Sequence, residues 1–173
     1  MEIGPQVYLK RFNELKTDGD IVPSTQTFKI KQFLEKAENS LQIAQYIKAF
    51  RPPAGLPKKL HWNYWAITIA YYSMLYAAKA AILSKHYEVK SHEAAQIALG
   101  HLLIPSPIER EDLELLKQAH KIFEDEYLKY FEDARKESYT ARYTAIKTYT
   151  ERQLDEIYTN AQKFVEKIVG ILV

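Results

Sequence analysis

The sequence predicts an all-α protein, folded as an antiparallel up-and-down bundle of four long helices plus one short helix. Three observations lead there. The 173 residues include only five glycines. No long run alternates apolar with polar residues as strands do. Apolar residues instead recur at three- and four-residue spacing over long stretches. A chain of this length can bury a real core in one domain without metal or disulfide staples. Residues 1–24 are expected to form an N-terminal arm and residues 25–173 the helical domain.

Within the arm, Tyr8, Leu9, Phe12 and Leu15 mark a short amphipathic turn, closed by Thr17-Asp18-Gly19-Asp20 and Pro23. Such an arm is expected to dock on a neighbour. The first long helix should run from Thr27 to Phe50, where Phe33, Leu34, Ala37, Leu41, Ala44 and Ile47 form one stripe. Arg51-Pro52-Pro53-Ala54-Gly55-Leu56-Pro57 prevents it from continuing. The second helix, His61 to His86, differs in kind. Around Ala70-Tyr71-Tyr72-Ser73-Met74-Leu75-Tyr76, aromatic and small apolar residues occur on every side, so this helix must be enclosed.

A short third helix starts at Ser91, whose hydroxyl can cap the free amides of the first turn, and it fades near Ile104-Pro105. Ser106-Pro107-Ile108-Glu109 reads as the start of a fourth helix, with a capping box and proline at the first helical position. Its stripe is Leu113, Leu116, His120, Phe123, Tyr127, Tyr130 or Phe131, and Ala134, and periodicity weakens from Arg135 to Lys147. Thr148-Tyr149-Thr150-Glu151 offers another capping box before the last stripe, Leu154, Ile157, Ala161, Phe164, Val165 and Ile168.

Composition narrows the function classes. Lys plus Arg number 24 against 22 Asp plus Glu, so no overall basic field drives non-specific nucleic-acid binding, and any such contact needs a local patch. With no cysteine, a disulfide framework, a Cys-based zinc site and a thiol nucleophile are excluded; a reducing compartment fits, and a cytoplasmic location is expected. Met1-Glu2-Ile3-Gly4-Pro5 lacks both the basic start and the apolar run of a signal peptide. The run from Trp62 to Leu83 is long enough to span a bilayer. Asn63, Lys79 and several tyrosines argue against that, so no membrane association is expected.

Three blocks of residues resemble the HEPN (higher eukaryotes and prokaryotes nucleotide-binding) family, in its small stand-alone prokaryotic and archaeal branch. They are Phe33-Leu34-Glu35-Lys36-Ala37-Glu38-Asn39-Ser40-Leu41; the double-tyrosine segment Ala70 to Ala80 with Lys90-Ser91-His92 after it; and Ala134-Arg135-Lys136-Glu137 with Tyr139 to Tyr143 and the Ala161 to Ile168 segment. The resemblance covers roughly residues 28–172 and implies a homodimeric helical bundle that binds nucleotide or RNA. It further implies a toxin-antitoxin pair with a minimal nucleotidyltransferase as partner, and metal-independent RNA cleavage. Active members use an arginine, four to six residues and then a histidine. Here the histidines lie at 61, 86, 92, 101 and 120, and none follows Arg135 or Arg142. A tyrosine takes that place in this branch, which Tyr139 or Tyr143 could match.

The candidate catalytic residues are therefore Arg135, Arg142, Tyr143 and His92, and the candidate ligand-binding residues are Lys90, Ser91, Tyr139, Tyr72 and Lys79. His92 at a helix start, beside a Ser cap, sits where the dipole disfavours imidazolium and favours a neutral, accepting nitrogen suited to a general base. Its ordinary alternative is local packing. Arginine can clamp phosphate while tyrosine stacks on bases, which gives the Arg135 to Tyr143 segment a nucleic-acid reading beside that of a solvated turn. Tyr71, Tyr72 and Lys79 read first as core or dimer-interface groups. No cofactor and no metal are expected, because Glu-x-x-His pairs, a His-Glu-x-x-His helix and a phosphate-binding glycine loop are all missing from the sequence.

Overall fold

The computed structural model describes the backbone of residues 4–56, 59–133 and 140–173, and their side chains except at 60, 126–133 and 140–149. The chain is mostly helical. In order it forms α1 (Pro5–Thr17), β1 (Ile21–Pro23), α2 (Lys29–Ala49), α3 (Lys59–Leu83), β2 (Tyr87–Val89), α4 (His92–Leu102), α5 (Arg110–Asp133) and α6 (Thr140–Leu172).

α3 is the element around which the rest is arranged. It contains no glycine or proline and is rich in alanine, which favours helix and lets neighbouring backbones approach closely. α2, α4, α5, α6 and β2 all pack against it. Ala66, Ile67, Ala70, Tyr71, Met74, Leu75, Ala77, Ala78 and Ala80 through Leu83 are buried as a result. Each fully buried Ile, Leu or Met contributes ~1.5–3 kcal/mol relative to exposure. The stretch His61–Leu83 is long and apolar enough to cross a membrane, but most of it is covered by the protein's own helices.

Side chains satisfy the helix ends the sequence could not close. After α2, Lys59 Nζ donates to the carbonyls of Ile47 (2.6 Å) and Lys48 (2.8 Å), and Arg51 donates to Ala49 at 3.2 Å. The last carbonyls of a helix lack their usual i+4 partners, and a cation suits the negative end of its dipole. Beyond α3, His86 takes a left-handed conformation at φ 64°, which reverses the chain into β2.

Beyond α1, a 13-residue helix where the sequence reading expects only a turn, and so a sixth helix, three features depart from that reading. The first is a two-stranded antiparallel ribbon pairing Ile21 with Val89, Val22 with Glu88 and Pro23 with Tyr87; at three residues each, these strands are too short to show alternation. The second is the start of α5, at Arg110 rather than after Ser106. The Ile108 amide bonds back to the Leu103 carbonyl at 3.0 Å while its side chain enters the core. Asp112 then accepts from the Glu109 amide at 3.0 Å, completing half of a capping box three residues later than expected. The third is α6, which runs unbroken from Thr140 through Thr148 and a buried Thr150. Packing against α3 and α5 outweighs the local cap preference of those threonines.

The N-terminal arm lies on its own chain. α1 buries Tyr8, Phe12 and Leu15 and packs on α4, with the Phe12 ring 4.6 Å from that of His101 and 5.3 Å from Tyr87. Arg11 Nε donates to Glu93 at 2.8 Å, and Lys117 Nζ from α5 donates to the Tyr8 hydroxyl at 3.1 Å. Gly100 makes this approach possible, since a Cβ there would run into the Tyr8 ring. Gly100→Ala should therefore cost ~1–3 kcal/mol through overpacking and loosen α1. A urea midpoint equal to that of the parent would contradict this docking.

Candidate functional site

The residues singled out on α3 and α4 meet in one place. Ser91 caps α4 as expected: its Oγ accepts from the Ala94 amide at 3.1 Å and donates to Asp20 Oδ2 at 3.3 Å. The Lys90 amide donates to the Asp20 carbonyl at 2.9 Å, so the β1 end of the arm fixes the approach to α4. The Lys90 side chain is exposed. His92, the first residue of α4, points its ring toward α3 and α5.

There it meets a second histidine. His92 Nδ1 lies 3.3 Å from His120 Nε2 on α5, and the rings cross at 85° with centroids 5.2 Å apart. Tyr71 forms the floor: its ring is 5.3 Å from His92, 5.4 Å from His120 and 4.9 Å from Phe123, on which it stacks. Tyr72, only partly buried, sets its ring edge-on to His92 at 6.0 Å and lies 6.3 Å from Tyr76. Tyr71 and Tyr72 are adjacent in sequence and so face different ways; one closes the core and the other borders the site.

Lys79 lies two turns beyond Tyr72 on the same side of α3 and is half-buried. Burial and then the nearby Lys36 push its ammonium down from the usual lysine value, with Glu88 opposing. Glu88 on β2 is held below the usual carboxylate range mainly because Ser24 Oγ donates to it at 2.5 Å; Lys29 adds a pair at 3.3 Å. Lys36 sits over the Tyr76 ring at 5.6 Å, and Phe33 stacks on the same ring. The result is an aromatic strip on α3, with cations from α2 and α3 along one side and the histidine pair along the other. Rings of this kind stack bases, and cations of this kind hold phosphate.

Arg135 and Tyr139 lie outside the described residues. Arg142 and Tyr143 fall in α6, and their side chains lie outside the described ones. Among the described residues no group of three or more His, Cys, Asp or Glu could hold a metal ion. His120, Gln96 and Glu124 join the site without having been singled out from the sequence. Gln96 is one turn from His92 on α4, and Glu124 is one turn from His120 on α5. The available signal was a histidine inside an otherwise apolar stripe with an acid four residues on.

A mostly helical chain with a tyrosine-lined site opposite a Lys-Ser-His helix start belongs to a recognisable class. The family model described as HEPN domain matches residues 58–172, and the chain belongs to that family. The match runs from α3 through α6 and so contains His92, His120 and the tyrosines. No curated protein and no solved structure matches the chain.

Burial, then the neighbouring His120 and Lys79, hold the His92 imidazolium below its ordinary range. Between the folded and unfolded titrations the unfolded chain binds more protons, so this contribution to stability is complete above about pH 6.5 and is lost as pH falls below it. Urea midpoints should decline from pH 8 to pH 5, and His92→Gln should flatten that decline. An equal decline in the variant would assign it to other groups.

Proposed function

We propose that this HEPN protein binds nucleotide or RNA in a cleft between the two subunits of a homodimer, and acts as a metal-independent RNA endonuclease of a toxin-antitoxin pair. The observation that carries the reading is the juxtaposition of His92 and His120 beside Tyr72 and Lys79. It combines a stacking surface, a cation and a titratable pair, which are the elements a ribonucleotide site needs. In cleavage, a ribose 2'-hydroxyl attacks the adjacent phosphate. Arg135 or Arg142 would stabilise the charged phosphorane, with His92 or Tyr143 moving a proton. Zero cysteines and the protein cover around α3 support a cytoplasmic location.

The absence of a histidine after Arg135 or Arg142 favours a second reading, a non-catalytic module that grips a minimal nucleotidyltransferase. One assay separates the two. Purified protein is incubated with labelled tRNA and a mixed RNA pool in EDTA, which removes contaminating metal nucleases. The first reading expects cleavage that falls at least tenfold in Arg135→Ala or His92→Ala. Cleavage unchanged in Arg135→Ala, Arg142→Ala and His92→Ala would sink it, and no cleavage by the parent would leave the binding module.

A further inference from the structure

The contacts of His120 bear on which atom of His92 carries hydrogen. Glu124 places Oε1 3.4 Å from His120 Nε2. A carboxylate beside that nitrogen suits the neutral tautomer with its hydrogen on Nε2, because a carboxylate accepts hydrogen bonds. Gln96 places its amide nitrogen 3.3 Å from His120 Nδ1. That amide nitrogen only donates, so Nδ1 is the bare, accepting nitrogen. The Gln96 contact selects this tautomer, and the Glu124 carboxylate beside Nε2 is compatible with it. His92 Nδ1 stands 3.3 Å from the same protonated Nε2 and is therefore the acceptor. A neutral imidazole that accepts at Nδ1 keeps its hydrogen on Nε2.

We propose that Gln96, His120 and Glu124 are positioning residues that fix His92 as an Nε2–H donor, offered to a phosphate oxygen of a ribonucleotide lying beside Tyr72. The ligand part of this assignment rests on the nucleotide reading above; the tautomer does not. The surroundings fit an anion. α3 presents Tyr71, Tyr72 and the Lys79 ammonium, α4 presents Gln96, and α5 presents His120, Phe123 and Glu124. A donor imidazole with a lysine nearby binds an oxyanion, and the tyrosine ring offers a stacking face to the base. This reverses the role expected from the helix start alone, where His92 was read as an accepting nitrogen. If the protein cleaves RNA, the group that takes the 2'-hydroxyl proton is therefore not His92 in its resting tautomer.

Long-range proton–nitrogen correlation spectra of the full-length 15N-labelled chain at pH 8 read the tautomers directly, without any variant. The expected spectrum shows hydrogen on Nε2 of both His92 and His120. Hydrogen on His92 Nδ1 overturns the relay. The same sample is then titrated with AMP and, separately, with adenosine. The His92 Nε2 signal should shift with AMP and stay in place with adenosine. Equal shifts with both, or a shift with neither, overturn the phosphate assignment. Fluorescence anisotropy with a labelled single-stranded RNA keeps the two proposals apart. RNA bound with the His92 signal unmoved removes only this inference, whereas no binding of RNA or AMP removes the nucleotide reading and leaves the tautomer result standing. Gln96→Leu should weaken AMP binding several-fold and broaden or shift the His120 signals; unchanged signals in that variant overturn the role given to Gln96.

Discussion

The need to cover α3 places α2, β2, α4, α5 and α6, and α1 and β1 lean on those elements in turn. A 25-residue helix with aromatic and small apolar groups on all sides needs cover over most of its surface, with Trp65 left exposed and the edge at Tyr72, Tyr76 and Lys79 partly open. Helices on several sides and the β2 strand supply the cover, and the alanines at 66, 70, 77, 78, 80 and 81 let them come close. Close approach brings dispersion contacts that a looser fit would forfeit. It also limits what can change: a larger residue at any of these alanines would force a neighbouring helix away.

The site follows from the same enclosure. Tyr71 is buried because α5 closes over it, and closure of α5 brings His120 down onto the start of α4. Two polar rings at a packed junction must find partners, and they find each other, Gln96 and Glu124. The next residue, Tyr72, meets Phe123 and His92 edge-on yet remains partly open, which turns one edge of the core into a surface able to stack on a base. The arm adds support from the far side. Asp20 receives the Ser91 hydroxyl and the Lys90 amide, so the ribbon and α1 hold the first turn of α4 where His92 needs it.

Much of this was legible in the sequence. The stripes in α2 and α6 and the enclosed character of α3 are periodic signals that survive folding, and the Ser91 cap is a local one. What escaped the sequence depends on tertiary packing. Ile21 and Val89 pair across 68 positions in strands too brief to carry a pattern. The threonines at 148 and 150 carry a start signal that packing overrides. His120 occupied a place in an apolar stripe, and only the folding of α5 against α4 shows that it faces His92 rather than merely filling the core. Half of the histidine pair was therefore visible, while its partner was not.

Because α2, β2, α4, α5 and α6 all cover α3, it should be the last element to lose its cover. Native-state hydrogen exchange tests it most directly. Amides from Ala66 to Leu83 should share the highest protection, exchange only through global unfolding, and give a free energy equal to that from urea denaturation. Protection in α3 lower than in α2 or α6, or exchange of its amides through a local opening well below the global value, would contradict the account.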